Sequence, residues 1–210
     1  MKKDRKSFFA GILSFVTFVL IVGCSGKTDK INRLEYDFRE GDIVFRRGTG
    51  AKANVVLQVD KEGLYSHVGI IVERDSEFMV VHITPGERQE GETEDRIKME
   101  KPEQFFSRKR AKHGAVIRLK DSLEYAQKAS AEAYRLYQKG ITFDHDYMLE
   151  DSTKMYCTEL IWKAYLSGGK DVTQGRRSRL ENVPLFSGEY IYPSDIFANE
   201  EFKLIYKFYN

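Results

Sequence analysis

The chain has 210 residues, with 34 lysines and arginines against 32 aspartates and glutamates, and only two cysteines. Residues 1–23 carry four of the basic and one of the acidic side chains, which leaves 30 against 31 in the remainder. Such a balance gives no electrostatic reason to expect a nucleic-acid partner. The remaining length is enough for one domain with a core of its own.

The first 24 residues have the organisation of an export signal. Four of the first six are lysine or arginine, and Phe8–Val22 is apolar apart from glycine, serine and threonine. This pattern is typical of a secretory signal and is short for a membrane-spanning helix. The ending Gly23-Cys24 resembles the lipobox of bacterial lipoproteins, which implies cleavage before Cys24 and attachment of lipid to its sulfur. An uncleaved anchor is the alternative. Either way we expect a domain in the cell envelope, outside the cytoplasm and tethered to a membrane.

The rest of the chain is predicted to be a tether over residues 24–37 and one domain over residues 38–210. After removal of the signal, Cys157 is the single cysteine of that domain, so no internal disulfide is expected. A free thiol outside the cytoplasm is exposed to oxidants, and its presence therefore calls for a reason.

Alternating and helical patterns predict the elements in chain order. The first half contains a strand at Asp42–Arg46, a short helix at Ala53–Val59, a hairpin of strands Ser66–Glu73 and Phe78–Ile83, and a loop at Pro85–Asp95.

The second half is predicted to hold both long helices. The elements are a helix over 101–108, a strand over 115–119, a helix over 122–139 with Ser122 as N-cap and Gly140 past its end, a helix over 157–166, an unstructured stretch over 182–186, and late strands over 190–192 and 202–209 separated by a helical turn at Pro193. Strands followed by helices and more strands predict an α+β domain, with a mainly antiparallel sheet or small barrel packed against helices.

Two of the four histidines lie inside apolar strands. His67 shares a strand face with Gly69, and His82 lies on the partner strand of the hairpin. The register decides whether the two imidazoles share a face. Each buried ring nitrogen needs a polar partner. His113 and His145, in contrast, lie in polar loops.

Cys157 is predicted at the first turn of a helix, where unpaired N–H groups and the helix dipole favour a thiolate. His67 is a candidate base for such a thiol, and His82 is a candidate for orienting that base. Two alternatives remain open on residue types. Cys157 is compatible with a packed core position, and the three residues together are compatible with a metal site, although the short spacings typical of zinc are missing.

Four blocks of sequence together resemble one family: 41–45 (GDIVF), 65–70 (YSHVGI), the Phe143-Asp144 and Tyr147 motif, and 156–161 (YCTELI). They are similar to circularly permuted papain-like hydrolases of the NlpC/P60 superfamily, in the YiiX/YebB-like branch. The resemblance covers roughly residues 40–200. It implies a permuted papain-like catalytic domain in which the histidine strand precedes the cysteine helix.

The resemblance also implies roles for individual residues. It makes Cys157 the nucleophile and His67 the base, and it requires no metal or organic cofactor. The third position is glutamate in close relatives, whereas this chain has His82. A histidine there resembles the lecithin:retinol acyltransferase relatives of the superfamily.

Further residues are candidates for substrate binding because they adjoin the catalytic pair. These are Tyr65, Ser66, Tyr156 and Glu159. Packing is the alternative for the two tyrosines, and capping of its own helix is the favoured role of Glu159. The backbone N–H of Cys157 is the expected donor to an oxyanion.

Taken together, the sequence predicts a membrane-anchored cysteine amidase or peptidase that cleaves an amide bond through an acyl-enzyme. Cell-wall peptides are the expected substrate because of the location. The alternatives are a lipid or N-acyl amide hydrolase or acyltransferase, prompted by His82, and a binding module without turnover.

Overall fold

The computed structural model describes residues 37–88, 91–149, 151–179 and 188–209. The predicted signal segment, Cys24, nearly all of the tether and the stretch at 182–186 lie outside these ranges. Within them, no helix combines the length and the apolar character needed to cross a membrane.

A six-stranded antiparallel sheet organises the domain. Its strands are β1 (Ile43–Gly48), β2 (His67–Arg74), β3 (Glu77–His82), β4 (Lys98–Glu100), β5 (Ala111–Leu119) and β10 (Phe202–Tyr209), and they lie in the order β10-β5-β1-β2-β3-β4. Two-stranded ladders pair β6 (Thr142–Phe143) with β7 (Lys154–Met155), and β8 (Ser178–Arg179) with β9 (Glu189–Tyr190). This confirms the predicted α+β class with a mainly antiparallel sheet.

Helices cover the sheet unequally. The long helices α3 (Leu123–Gln138) and α4 (Cys157–Ser167) contribute to the larger apolar core together with one face of β2. The short helix α2 (Pro102–Phe105) contributes to a smaller core on the opposite face. The remaining helices are α1 (Ala51–Val59) and α5 (Pro193–Phe197). The two faces of β2 therefore have different surroundings, one helical and one aromatic.

The entry into β1 explains one of the sequence blocks. Gly41 has φ +79°, and a Cβ at this position would lie 2.5 Å from the Ala126 carbonyl oxygen of α3. Asp42 follows, almost fully buried, and forms an ion pair of 2.7 Å with Arg118 of β5. The Tyr165 hydroxyl of α4 donates to the Gly41 carbonyl. Gly41 thus contacts both long helices at the entry to the first strand, and Asp42 links that entry to β5.

The hairpin of β2 and β3 places both strand histidines on one face. Its turn residues Asp75 and Ser76 have φ +53° and +62°, the left-handed pair of a tight hairpin turn. Ile70 pairs with Val81, and the same register sets His82 opposite Gly69. A Cβ on Gly69 would lie 2.6 Å from the Val80 Cγ1 and 3.2 Å from the His82 Cβ. The missing side chain at Gly69 is therefore what leaves room for His82.

Some predicted elements differ from the structure. The helix expected over 101–108 ends at Phe105, where a turn begins, and the strand expected over 190–192 is the two-residue β9. Strand β4 was missed altogether, because three residues with two charges show no apolar run. Its omission matters for the site below.

We expect Gly69→Ala to destabilise the domain by about 1–3 kcal/mol, because the added methyl group overpacks the contact with Val80 and His82. Urea unfolding measures the difference. Gly50→Ala is the matched control, since no atom lies within 4 Å of a Cβ placed there. Equal stabilities of the two variants would contradict the packing role of Gly69.

Candidate active site

Cys157 begins helix α4, and the residues on either side of it fix its position. The Ile191 amide donates to the Tyr156 hydroxyl oxygen at 3.0 Å, and the Thr158 hydroxyl donates to the Ile191 carbonyl at 2.6 Å. The Glu159 carboxylate accepts a hydrogen bond from the Tyr156 amide at 3.3 Å, which satisfies one of the unpaired donors of the helix end. Three separate bonds therefore hold the first turn that carries the thiol.

The sulfur of Cys157 lies against β2. Backbone N–H groups of Val68, Thr158 and Cys157 itself stabilise its ionised form. Strand β3 ends at His82, one residue before the position that would face Val68 in the same register. The Val68 amide can therefore meet the sulfur instead of a strand partner. This contact places the thiol beside the residue that follows His67.

The pKa of Cys157 differs from the sequence expectation. Burial raises the pKa of the thiol to about 11, and the surrounding amides and Arg46 lower it only in part. The expectation that the helix end lowers the pKa of this thiol is therefore wrong, because the cost of burying the charge is the larger effect. The resting thiol is neutral at physiological pH.

His67 and His82 form a hydrogen-bonded pair. His67 Nε2 and His82 Nδ1 are 2.8 Å apart, and both side chains are buried. The rings are 5.0 Å apart between centroids at 70°, and Phe105 packs against both of them. Each ring thus supplies a polar partner for the other inside an apolar layer. The sequence predicted that the two histidines lie on neighbouring strands but left the strand register open. The structure gives that register and places both rings on one face.

The second nitrogen of His82 contacts a residue that the sequence did not single out. His82 Nε2 lies 3.0 Å from Glu100 Oε1, and the Glu100 carboxylate accepts from Arg110 at 2.6 and 2.9 Å. Glu100 is the last residue of β4, so the missed strand is the one that brings it here.

Five charged side chains surround the histidine pair, and we refer to them as the ion cluster. Glu87 pairs with Arg46 at 2.5 Å and with Lys98 at 2.9 Å. Arg46 also donates to the Phe105 carbonyl and lies over the Phe105 ring. The members of the ion cluster are Arg46, Glu87, Lys98, Glu100 and Arg110.

The histidines are neutral because of burial and the ion cluster. Burial, followed by the positive charge of Arg46, holds the pKa of His67 well below its usual range. Burial lowers the pKa of His82 to about 4, although Glu100 opposes this shift. The pKa of Glu100 falls to about 2, since the bonds from His82 and Arg110 outweigh its burial. At neutral pH the site therefore holds two neutral imidazoles and a carboxylate.

Tyr147 approaches the thiol from the loop that follows α3. Asp144 accepts hydrogen bonds from the amides of Asp146 and Met148, and Tyr147 between them has φ +55°. Its ring packs against Phe143 and Tyr156. Burial and then the charge of an ionised Cys157 raise the pKa of the Tyr147 phenol. The Phe143-Asp144 and Tyr147 motif is thus a turn that holds a phenol near the sulfur.

The four predicted substrate-binding residues have structural contacts of their own. Tyr65 is buried against Phe45 and Phe197, and Ser66 accepts a hydrogen bond from the Gly48 amide at 2.9 Å. Tyr156 and Glu159 take part in holding the helix end as described above. Glu159 forms an ion pair of 2.7 Å with Lys163. Packing and capping account for these contacts, and substrate binding by the four remains a prediction.

A metal site was an alternative reading of the three predicted catalytic residues. Among the described residues, the group whose potential ligand atoms lie within 4.8 Å of one another is a different one: His82, Glu87 and Glu100. Lys98 and Arg110 already neutralise its two carboxylates, with Lys98 3.8 Å and Arg110 2.6 Å from Glu100. Both carboxylates of this group are therefore already paired with side-chain cations.

Comparison with known proteins agrees with the geometry. Residues 37–185 match the family described as permuted papain-like amidase enzyme, YaeF/YiiX, C92 family. No curated protein matches the chain. Among solved structures, the fold is similar to that of the metalloprotein yiiX from Escherichia coli O157:H7, with a TM-score of 0.67, 20% identity, and coverage of 83% of this chain and 100% of that one. This likeness supports the fold.

The raised pKa of Cys157 predicts how the resting thiol reacts. In the full chain with Cys24→Ser, alkylation by iodoacetamide should accelerate about tenfold per pH unit from about pH 7 to about pH 9, because only the thiolate reacts. A cysteine-containing model peptide is the reference, and its rate should level off above its usual thiol pKa of about 8.5. A protein rate that is already level below about pH 8 would contradict the neutral resting thiol.

Proposed function

Since the chain belongs to the family of permuted papain-like amidase enzymes, we propose that this cysteine hydrolase uses Cys157 as its nucleophile and His67 as its general base. One observation carries the assignment. Helix α4 packs on β2, and the Val68 amide next to His67 stabilises the ionised form of the Cys157 sulfur, so the helix end and the histidine strand converge at this point. The further bond from His67 to His82 gives the base an orienting partner.

The reaction proceeds from a neutral thiol and a neutral imidazole. The sulfur attacks the carbonyl carbon of the amide while His67 takes the thiol proton, so the charge forms only as the carbon–sulfur bond forms. The N–H groups at the start of α4 stabilise the developing oxyanion. His67 then gives its proton to the departing amine as the carbon–nitrogen bond breaks. Water, deprotonated by His67, attacks the acyl-enzyme and releases the acid and the thiol.

Cell-wall peptides are the proposed substrate class. The support is the predicted export signal and lipid attachment at Cys24, which would hold the enzyme at the cell envelope. Membership of the NlpC/P60 superfamily, in its YiiX/YebB-like branch, belongs to the same proposal and rests on the four sequence blocks.

A lipid or N-acyl amide is the second candidate substrate, for hydrolysis or acyl transfer. The observation that favours it is His82 at the third position, bonded to His67 as an orienting histidine would be. The two candidates share one mechanism and differ only in the acyl group, so a single substrate panel separates them.

The proposed mechanism uses no metal ion. The similar structure from Escherichia coli is described as a metalloprotein. In this chain, the candidate ligands Glu87 and Glu100 are paired with arginine and lysine side chains. A divalent cation does not fit that arrangement, and we derive no step through one.

Removal of the nucleophile gives the direct test of the proposed function. Cys157→Ser should lower amide hydrolysis by about a thousandfold or more, because a neutral hydroxyl is a far weaker nucleophile in this site. The protein is incubated with a panel of peptidoglycan stem peptides and a panel of N-acyl amines, and product is measured by mass spectrometry. Cys24→Ser is the matched control and should retain activity in detergent. Binding of a panel member without turnover by the wild type would support the binding module instead.

The acid side of the pH profile tests His67 as the base. Because the pKa of His67 is lowered, the neutral imidazole persists as pH falls, and kcat/KM should hold as the pH passes through the usual histidine pKa of about 6.5. Loss of half the activity near pH 6.5 would contradict this. Fluorescence of the single tryptophan, Trp162, monitors folding. That control matters because the unfolded histidines bind protons below about pH 6.5, so stability declines as pH falls.

A further inference from the structure

The two imidazoles and the carboxylate form one continuous chain of hydrogen bonds. It runs from His67 through His82 to Glu100, with distances of 2.8 and 3.0 Å, and ends at Arg110. Every member of the chain is buried or half-buried. In buried surroundings the protons on the ring nitrogens must be placed so that each donor faces an acceptor, because a mismatched group cannot bond to water instead.

The charge state of Glu100 fixes the direction of this chain. An ionised carboxylate only accepts hydrogen bonds. Its pKa of about 2 keeps it ionised at neutral pH. His82 must therefore carry its proton on Nε2 and present Nδ1 as an acceptor. His67 in turn must donate from Nε2 and keep Nδ1 unprotonated.

The resulting tautomer of His67 is the one that a base requires. With Nε2 committed as a donor to His82, Nδ1 is the nitrogen left to take a proton. We propose that Glu100 is a positioning residue which, acting through His82, sets the tautomer of His67 and so leaves His67 Nδ1 able to accept the Cys157 proton. The effect on catalysis rests on the proposed function, whereas the tautomers follow from the hydrogen bonds alone.

Arg110 and Lys98 keep Glu100 in the ionised form, which can only accept hydrogen bonds. Arg110 makes two contacts with the carboxylate, and Lys98 lies 3.8 Å from it. Glu87 offers an internal comparison, because it carries the same charge in the same ion cluster but bonds to Arg46 and Lys98. A charge effect would be shared by both glutamates, whereas an effect on the tautomer belongs to Glu100.

Long-range nitrogen-15 NMR of the ring nitrogens tests the proposal in the full chain. A background with His113→Gln and His145→Gln leaves signals from His67 and His82 alone. At neutral pH both rings should show the neutral form protonated at Nε2. A wild-type His67 protonated at Nδ1 would overturn the proposal, and this result needs no variant at Glu100 to fold.

Variants at Glu100 extend the test to function. Glu100→Gln presents an amide that can donate to His82, so we expect Nδ1-protonated signals at both histidines and a loss of hydrolysis of about tenfold or more. Glu100→Asp should restore the Nε2 pattern and most of the activity, and Glu87→Gln should keep the wild-type pattern. Unchanged tautomers and activity in Glu100→Gln would overturn the role of Glu100. Failure of the proposed function differs, since it would show as a wild type inactive on both panels despite the expected spectrum.

Discussion

The site depends on a hydrogen bond between two imidazoles that extends diagonally across neighbouring strands. Such a bond requires a fixed register and a gap beside the second ring. The left-handed turn at Asp75 and Ser76 supplies the register, and Gly69 supplies the gap. Both the histidine and the glycine of the motif at 66–69 are therefore needed to form the imidazole pair. One position holds the base, and the other makes room for the partner that orients it.

Burial controls the chemistry more strongly than the helix end does. The first turn of α4 directs backbone amides at the sulfur, yet the thiol stays protonated because the buried surroundings penalise an isolated charge more. The same surroundings, with three cations of the ion cluster close by, keep the histidines neutral. A site built in this way holds its proton until a substrate carbonyl is in place. This restrains the reaction of the thiol with small oxidants, because the thiolate is the reactive form.

The sequence predicted the parts of the site that lie on strongly patterned elements. Cys157 opens an amphipathic helix, and His67 and His82 lie in apolar strands, so each could be placed on an element of known direction. Glu100 could not, because β4 has only three residues, a methionine between two charged side chains, and so shows no readable period. The approach of Tyr147 to the thiol depends on a left-handed backbone that no pattern of residue types reveals. The pKa of Cys157 was predicted in the wrong direction, since a local feature of the helix was visible in the sequence and the tertiary burial was not.

The anchoring of the helix start to Ile191 has a consequence for the order of assembly. Tyr156 and Thr158 both bond to a backbone unit that lies more than thirty positions downstream, and the final strand β10 then closes onto β5. A nascent chain that has emerged only as far as the cysteine therefore lacks the segment that holds the helix end in place. Competence for catalysis arises late, after the carboxy-terminal portion has folded back. The hydrolase would thereby remain inert during its own synthesis.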